Sequence, residues 1–133
     1  MDPLDPKTLA ELVELAKKQL RQRMRALRAA HPAATLAERS DKVVAAVERL
    51  DAFRAARAVA LFHPLLERNE VDVRPLDALA RAANKLVYYP GIREDAAGRP
   101  HSDFRLTGAL DELAERGHRF WEPPAGAKSA LRG

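Results

Sequence analysis

The stretch from Arg57 to Tyr89 constrains this chain more than any other. Ala58-Val59-Ala60-Leu61-Phe62 is a short apolar run of the kind that makes a strand buried on both faces. His63-Pro64 closes it, because proline has no N–H for a ladder. A polar loop, Glu67-Arg68-Asn69-Glu70, and then Val71-Asp72-Val73 lead to Pro75, the expected first residue of a helix. That helix is expected to run to Asn84, its stop, with Leu76, Leu79, Ala80 and Ala83 inward. Leu86-Val87-Tyr88-Tyr89 reads as a second strand, ended by Pro90. Strand, helix and strand in this order predict a right-handed parallel unit. Ligands of such folds gather in the loop at the carboxyl end of a strand, which makes His63, Glu70 and Asp72 candidates.

Two long N-terminal helices precede this unit. Asp5 and Pro6 suit an N-cap and first turn, opening a helix to about Ala30. Leu9, Leu12, Val13, Ala16, Leu20, Met24 and Leu27 recur at three- and four-residue steps and define its apolar face. Its polar face holds Glu11 and Glu14 early, then Lys17, Lys18, Arg21, Arg23, Arg25 and Arg28. After His31-Pro32, Thr35 and Glu38 read as a capping box for a second helix with a stripe of Leu36, Val43, Val44, Val47, Leu50 and Phe53. Downstream, Gly91 to Pro100 reads as a polar loop, Phe104 to Leu106 as a third strand, and Ala109 to Arg116 as helical turns closed by Gly117. The stretch from Phe120 onward has no periodicity. The expected fold is therefore α/β, a partial parallel sheet flanked by helices. So small a sheet implies pairing through its edge or a missing part of the fold.

At 133 residues the chain is expected to be one domain, 1–133, large enough for a real core. No apolar run approaches the ~20 residues of a membrane span, and no secretory pattern opens the chain, so no membrane partner is expected. The absence of cysteine removes disulfides and thiolate chemistry, and fits a cytoplasmic protein. The net charge of +4 suggests anionic partners only weakly. Four histidines without ligand spacing argue against zinc, and six scattered glycines leave no glycine-rich phosphate loop.

Among residues that carry chemistry, Lys17 and Arg21 are four apart on one helical face and are spaced to grip a phosphate chain. A solvated basic face is the plainer reading. The Glu70 carboxylate is suited to accept paired hydrogen bonds from an amino-heterocycle, or it is a hydrated loop acid near a helix start. His63 titrates in the range of proton transfer but has no partner at a known spacing. Trp121 either stacks on a flat ring or packs. Composition and spacing stop at an α/β domain with an anionic ligand.

The order of motifs adds to this. Ala16-Lys17-Lys18-Gln19-Leu20-Arg21, then Val59-Ala60-Leu61-Phe62-His63-Pro64, then Asn69-Glu70-Val71-Asp72 resemble 5-formyltetrahydrofolate cyclo-ligase, also called 5,10-methenyltetrahydrofolate synthetase. Lys85 to Pro90 is similar to that family's next strand. Phe120-Trp121-Glu122-Pro123 is similar, more loosely, to its Gly-Ile-x-Glu-Pro turn. The resemblance runs from about Leu15 to Pro124. It implies an enzyme that uses ATP and magnesium to close the formyl group of 5-formyltetrahydrofolate into a methenyl bridge. Lys17 and Arg21 would then hold ATP phosphates, and His63 and Glu70 would line the folate site. The family's later strands and its glycine-rich segment ending Gly-Tyr-Tyr-Asp have no counterpart here. The resemblance therefore implies an N-terminal half, inactive alone, that pairs with a separate C-terminal half or with itself. The readings set beside it are a small nucleic-acid-binding module using the Lys17 to Arg28 helix, and a folate or nucleotide sensor. The basic helix lacks interleaved aromatics and the loop acids repel a polyanion, so nucleic acid is the less expected partner.

Overall fold

A computed structural model describes residues 5–130; the expected domain limits at residues 1 and 133 lie outside them. Four α-helices and a small mixed sheet make up the fold. Helix α1 spans Pro6–Ala29, α2 Ala33–Glu48, α3 Asp51–Ala55 and α4 Arg74–Ala82. Strands β1 (Ala58–Ala60), β2 (Leu86–Glu94) and β3 (Pro100–Leu106) form the sheet in that order, and β4 (Ala114–Glu115) pairs with β5 (Trp121–Glu122).

The start of α1 follows local chemistry. Asp5 Oδ1 accepts the N–H groups of Lys7 and Thr8 at 3.0 and 3.1 Å, and the Thr8 hydroxyl donates to the other carboxylate oxygen. Pro6 has no N–H to satisfy, and the next two orphan donors of the first turn are thereby satisfied. The second helix departs from expectation. It begins at Ala33, before Thr35, with Pro32 as N-cap and no side-chain cap, so the Thr35–Glu38 box is not formed. The chain also breaks at Arg49, and Phe53 belongs to the separate α3.

The β1–α4–β2 unit is present and parallel, with Ala58 opposite Leu86 and Ala60 opposite Tyr88. Helix α4 starts at Arg74, one residue before Pro75, and Asn84 closes it with a left-handed φ of 56°. Leu76 and Ala80 are buried and Leu79 half-buried, but Ala83 is exposed. Strand β1 is shorter than expected and is not buried on both faces: Val59 is half-buried, and Ala58 and Ala60 are exposed.

Strand β2 runs straight through Pro90, against the expectation that this proline ends it. The reason is parity. Leu86 N–H donates to Arg57 O, so the N–H groups of even-numbered β2 residues face β1. Strand β1 ends at Ala60, opposite Tyr88, so the missing N–H of Pro90 falls where no β1 strand residue pairs. Gly91 to Glu94 therefore join the strand, and β3 pairs antiparallel from Tyr88 opposite Leu106 to Glu94 opposite Pro100. The sheet is mixed, not parallel. Asp95 makes the hairpin turn, accepting the N–H groups of Ala97 and Arg99 at 2.9 Å each, with Gly98 at φ 74°.

Two small apolar clusters form the core. Ala80, Val87, Tyr89 and Leu113 make one, and Val44, Val73 and Leu76 the other; Phe53 and Leu61 pack against both. Between helix and sheet lies a buried polar group, Asp77, which accepts from Tyr89 Oη at 2.8 Å and from Arg81 Nε at 2.8 Å. Helix α1 contributes no buried residue, although one of its faces is apolar. Leu20 is 60% exposed.

The stretch from Ala109 is one 3-10 turn, Leu110–Glu112, followed by the β4–β5 ribbon around Gly117 (φ 98°). Residues 128–130 return along the outer edge of β3: Leu106 N–H donates to Lys128 O and Ala130 N–H to Phe104 O, both at 2.7 Å. No described helix is long and apolar enough to cross a membrane.

Candidate functional site

The loop leaving the carboxyl end of β1 carries the site. His63 and Pro64 leave β1, Leu66–Arg68 form a 3-10 turn, and Asn69 reverses the chain at a left-handed φ of 55°. The loop is tied at both ends. Glu70 Oε2 accepts the Leu65 N–H at 2.8 Å, and Asn69 Nδ2 donates to Arg28 O, at the end of α1, at 2.9 Å. The Ser40 hydroxyl of α2 accepts the Asp72 N–H at 2.9 Å. Asp72 in turn binds the Arg74 guanidinium through both oxygens, at 2.9 and 2.8 Å. That bidentate pairing holds the Asp72 carboxyl below the usual carboxylate range.

His63 is half-buried, and its ring stacks on Trp121 with centroids 4.8 Å apart and planes 13° from parallel. Burial lowers the affinity of its imidazole for a proton and Arg74 lowers it further, while the Pro64 backbone and Asp72 oppose them; the net pKa is lowered. The ring is therefore neutral at pH 7, able to take a proton but not holding one. Trp121 is 42% exposed.

What places Trp121 over His63 is a buried charged network that the sequence reading did not single out. Arg105 is 2% exposed; its Nη1 donates to Pro123 O at 3.2 Å and its Nη2 to Ile92 O at 2.6 Å. Glu122, next to Trp121, is buried with Oε2 2.8 Å from His118 Nδ1 and Oε1 3.7 Å from Arg105. Asp103 accepts from Arg93 at 2.7 Å and from the Ser129 hydroxyl at 2.6 Å. Its burial acts to raise its pKa, but the Ser129 hydroxyl, Arg93, the Phe104 N–H and Arg105 together outweigh that and leave it lowered. The available signal was the two-residue spacing of Asp103 and Arg105 in a strand, which puts two charges on the same face.

The residues assigned to phosphates stand apart from this loop. Lys17 is exposed and paired with Glu14 at 2.9 Å, and Arg21 is exposed. Neither lines the cleft beside Glu70. That cleft, about 500 Å3, is formed instead by Arg25 and Arg28 of α1, Arg68, Asn69 and Glu70 of the loop, and Arg119. Arg25 and Arg28 are about one to three turns beyond Lys17 and Arg21 on the helix. His63, Glu70, Asp72 and Trp121 thus share one loop region, and Lys17 and Arg21 do not reach it. Among the described residues, no group of three His, Asp or Glu is placed to hold a metal ion.

No family model matches the chain, and no curated protein matches it by sequence.

Proposed function

We propose that this chain is a folate- and nucleotide-binding α/β domain of the 5-formyltetrahydrofolate cyclo-ligase kind, which acts in the cytoplasm. The observation that carries the reading is the single loop after β1. It presents His63, stacked on Trp121 of β5, and the Glu70 carboxylate, which lines a cleft with four arginines. A reduced folate has matching parts: a flat amino-bearing ring and an acidic tail. The ring would lie against Trp121, Glu70 would accept from its amino and ring N–H groups, and guanidinium groups would meet the tail or ATP phosphates. In the ligase reaction ATP supplies the phosphoryl group that activates the formyl oxygen. In this reading the neutral imidazole of His63 would take a proton from a folate nitrogen. Magnesium, which the resemblance implies, would arrive with the ATP phosphates, since among the described residues no group of three His, Asp or Glu is placed to hold it.

Self-association belongs to the same proposal. Strand β1 lies at the edge of the sheet, and the apolar face of α1 is exposed, so a second copy of the chain or a complementing one has two surfaces to cover.

Trp121 is the only tryptophan, so its fluorescence reports on the site directly. Titration with 5-formyltetrahydrofolate is expected to quench it saturably. Glu70→Gln, which keeps an acceptor for Leu65 N–H, is expected to weaken that binding about tenfold, or about 1.4 kcal/mol. Absence of quenching, or equal quenching by unrelated anions, would overturn the folate reading. With ATP and magnesium the 133-residue chain alone is expected to give no methenyl absorbance, because its sequence has no glycine-rich segment to cradle a transferred phosphate.

A further inference from the structure

Helix α1 has 24 residues, and none of them is buried. Six large apolar side chains, Leu9, Leu12, Val13, Leu20, Met24 and Leu27, are between 43% and 60% exposed. With 3.6 residues to a turn they fall within about 120° of the helix circumference, as one continuous face. A contiguous apolar face of this extent marks a surface that something covers. The last turn alone is tied to the body, where Asn69 Nδ2 donates to Arg28 O.

The shape and charge of the helix narrow down what covers it. At its base an apolar hollow of about 350 Å3 is lined by Met24 and Leu27 of α1 and by Leu36 and Val43 of α2. The hollow continues the exposed face, so it is open to apolar side chains brought alongside α1. Leu9 and Leu12 at one end of the face and Met24 and Leu27 at the other are symmetric about position 18. Two copies of α1 laid antiparallel about that point set Leu9 against Leu27 and Leu12 against Met24. The first two leucines of each copy then reach the hollow of the other. Ala16 falls opposite Leu20, small against large, which lets the helices approach.

Charge selects the same arrangement. By helical spacing Glu14, Lys17, Arg21 and Arg28 border one side of the face. An antiparallel pair puts Glu14 of one copy beside Arg21 of the other, whereas a parallel pair aligns each cation with its own counterpart. Antiparallel helices also oppose their dipoles. An anionic lipid surface fits less well, because Glu11 and Glu14 would meet it and the helix has no aromatic anchor. The six side chains on each of two copies offer on the order of 1,000 Å2 to bury, where specific interfaces begin.

We infer that two copies of this chain pair through α1, antiparallel, each seating Leu9 and Leu12 in the hollow between α1 and α2 of the other. This rests on the self-association reading and narrows it to one surface and one orientation, with the β1 edge left out. Pairing between copies follows concentration, so a dilute chain keeps the helix bare.

The test uses the full chain, which has no cysteine of its own, so an introduced thiol is the only one. Leu9→Cys and Leu27→Cys are prepared separately and treated with a short thiol-reactive crosslinker. Each alone is expected to give little linked dimer, and an equimolar mixture at least fivefold more. Sedimentation velocity is expected to show a dimer for the unaltered chain and for Ala60→Lys, and a monomer for Leu12→Glu with Leu20→Glu. Circular dichroism checks that the helix persists in each variant. Linking within Leu9→Cys alone would mean parallel helices and overturn the inference. Loss of the dimer in Ala60→Lys but not in the leucine variant would overturn it and leave self-association through β1 standing. A monomer at every concentration would remove both, and a monomer that cosediments with phosphatidylserine vesicles would give the face to lipid instead.

Discussion

Gly91 shows how closely the interior is fitted around charge. A Cβ at this position would lie 2.7 Å from Arg105 Nη1 and 2.8 Å from its Cζ. The guanidinium has little room to yield, because its carbonyl partners and two buried carboxylates surround it. Gly91→Ala is expected to lower stability by about 1–3 kcal/mol in a urea melt. Asp103→Ala is expected to cost about 2–3 kcal/mol, since it removes the acceptor of Arg93 and one hydrogen bond of the Ser129 hydroxyl. The same residues set the response to acid. His63 and Asp103 both have lowered pKa values in the folded state, so each contributes stability above its ordinary value of 6.5 or 3.8. Each contribution is lost as pH falls below that value toward the folded one. Urea midpoints measured from pH 8 to pH 3 should therefore fall in two stages, one starting near pH 6.5 and one near pH 4. His63→Gln should remove the upper stage and keep the lower; an unchanged upper stage would assign it elsewhere.

At the scale of elements, α1 is the anomaly. It has the periodicity of a core helix, yet Leu12, Val13 and Leu20 are all exposed. Only its last turns rest on the body, where Met24 and Leu27 face Leu36 and Val43 of α2 across an apolar hollow of about 350 Å3. A side chain that buries nothing contributes little to folding free energy. Leu12→Ser with Leu20→Ser should thus shift the urea midpoint by no more than about 0.5 kcal/mol, whereas Val44→Ala in the buried face of α2 should cost about 1–2 kcal/mol. The loss of two leucines weighing more than that of Val44 would mean that α1 is covered after all. The strands show the opposite economy. Strand β2 is central, with β1 on one side and β3 on the other, and Val87 and Tyr89 at its middle are almost fully buried.

For the molecule as a whole, the exposed stripe of α1 and the edge of β1 predict association. Sedimentation velocity at rising concentration is expected to show species heavier than a monomer. The two surfaces separate by mutation. Leu12→Glu with Leu20→Glu acts on the helix, and Ala60→Lys places a charge on the exposed side of the edge strand. The variant that restores the monomer names the interface. A monomer at all concentrations for the unaltered chain would remove self-association from the proposed function.

What the sequence by itself determined is local. The start of α1 depends on Asp5 and residues within three positions of it. The stop after α4 depends on Asn84, whose short amide side chain tolerates the left-handed turn. The β1–α4–β2 order follows from two apolar runs on either side of one amphipathic segment, and the polar loop after the first run carries both His63 and Glu70. Tertiary structure decided the rest. Whether Pro90 ends a strand depends on how far the neighbouring strand extends, which is a property of two segments and not of one. The antiparallel return of β3, and with it the mixed sheet, was chosen by the Asp95 turn together with burial of Asp103 and Arg105 against residues 122 to 129. The apolar stripe of α1 is plain in the sequence, but periodicity tells which face is apolar and never what lies against it. The arginine cleft is the sharpest case: Arg28, Arg68 and Arg119 are dozens of positions apart, and only the reversed turns at Asn69 and Arg119 bring their charges together.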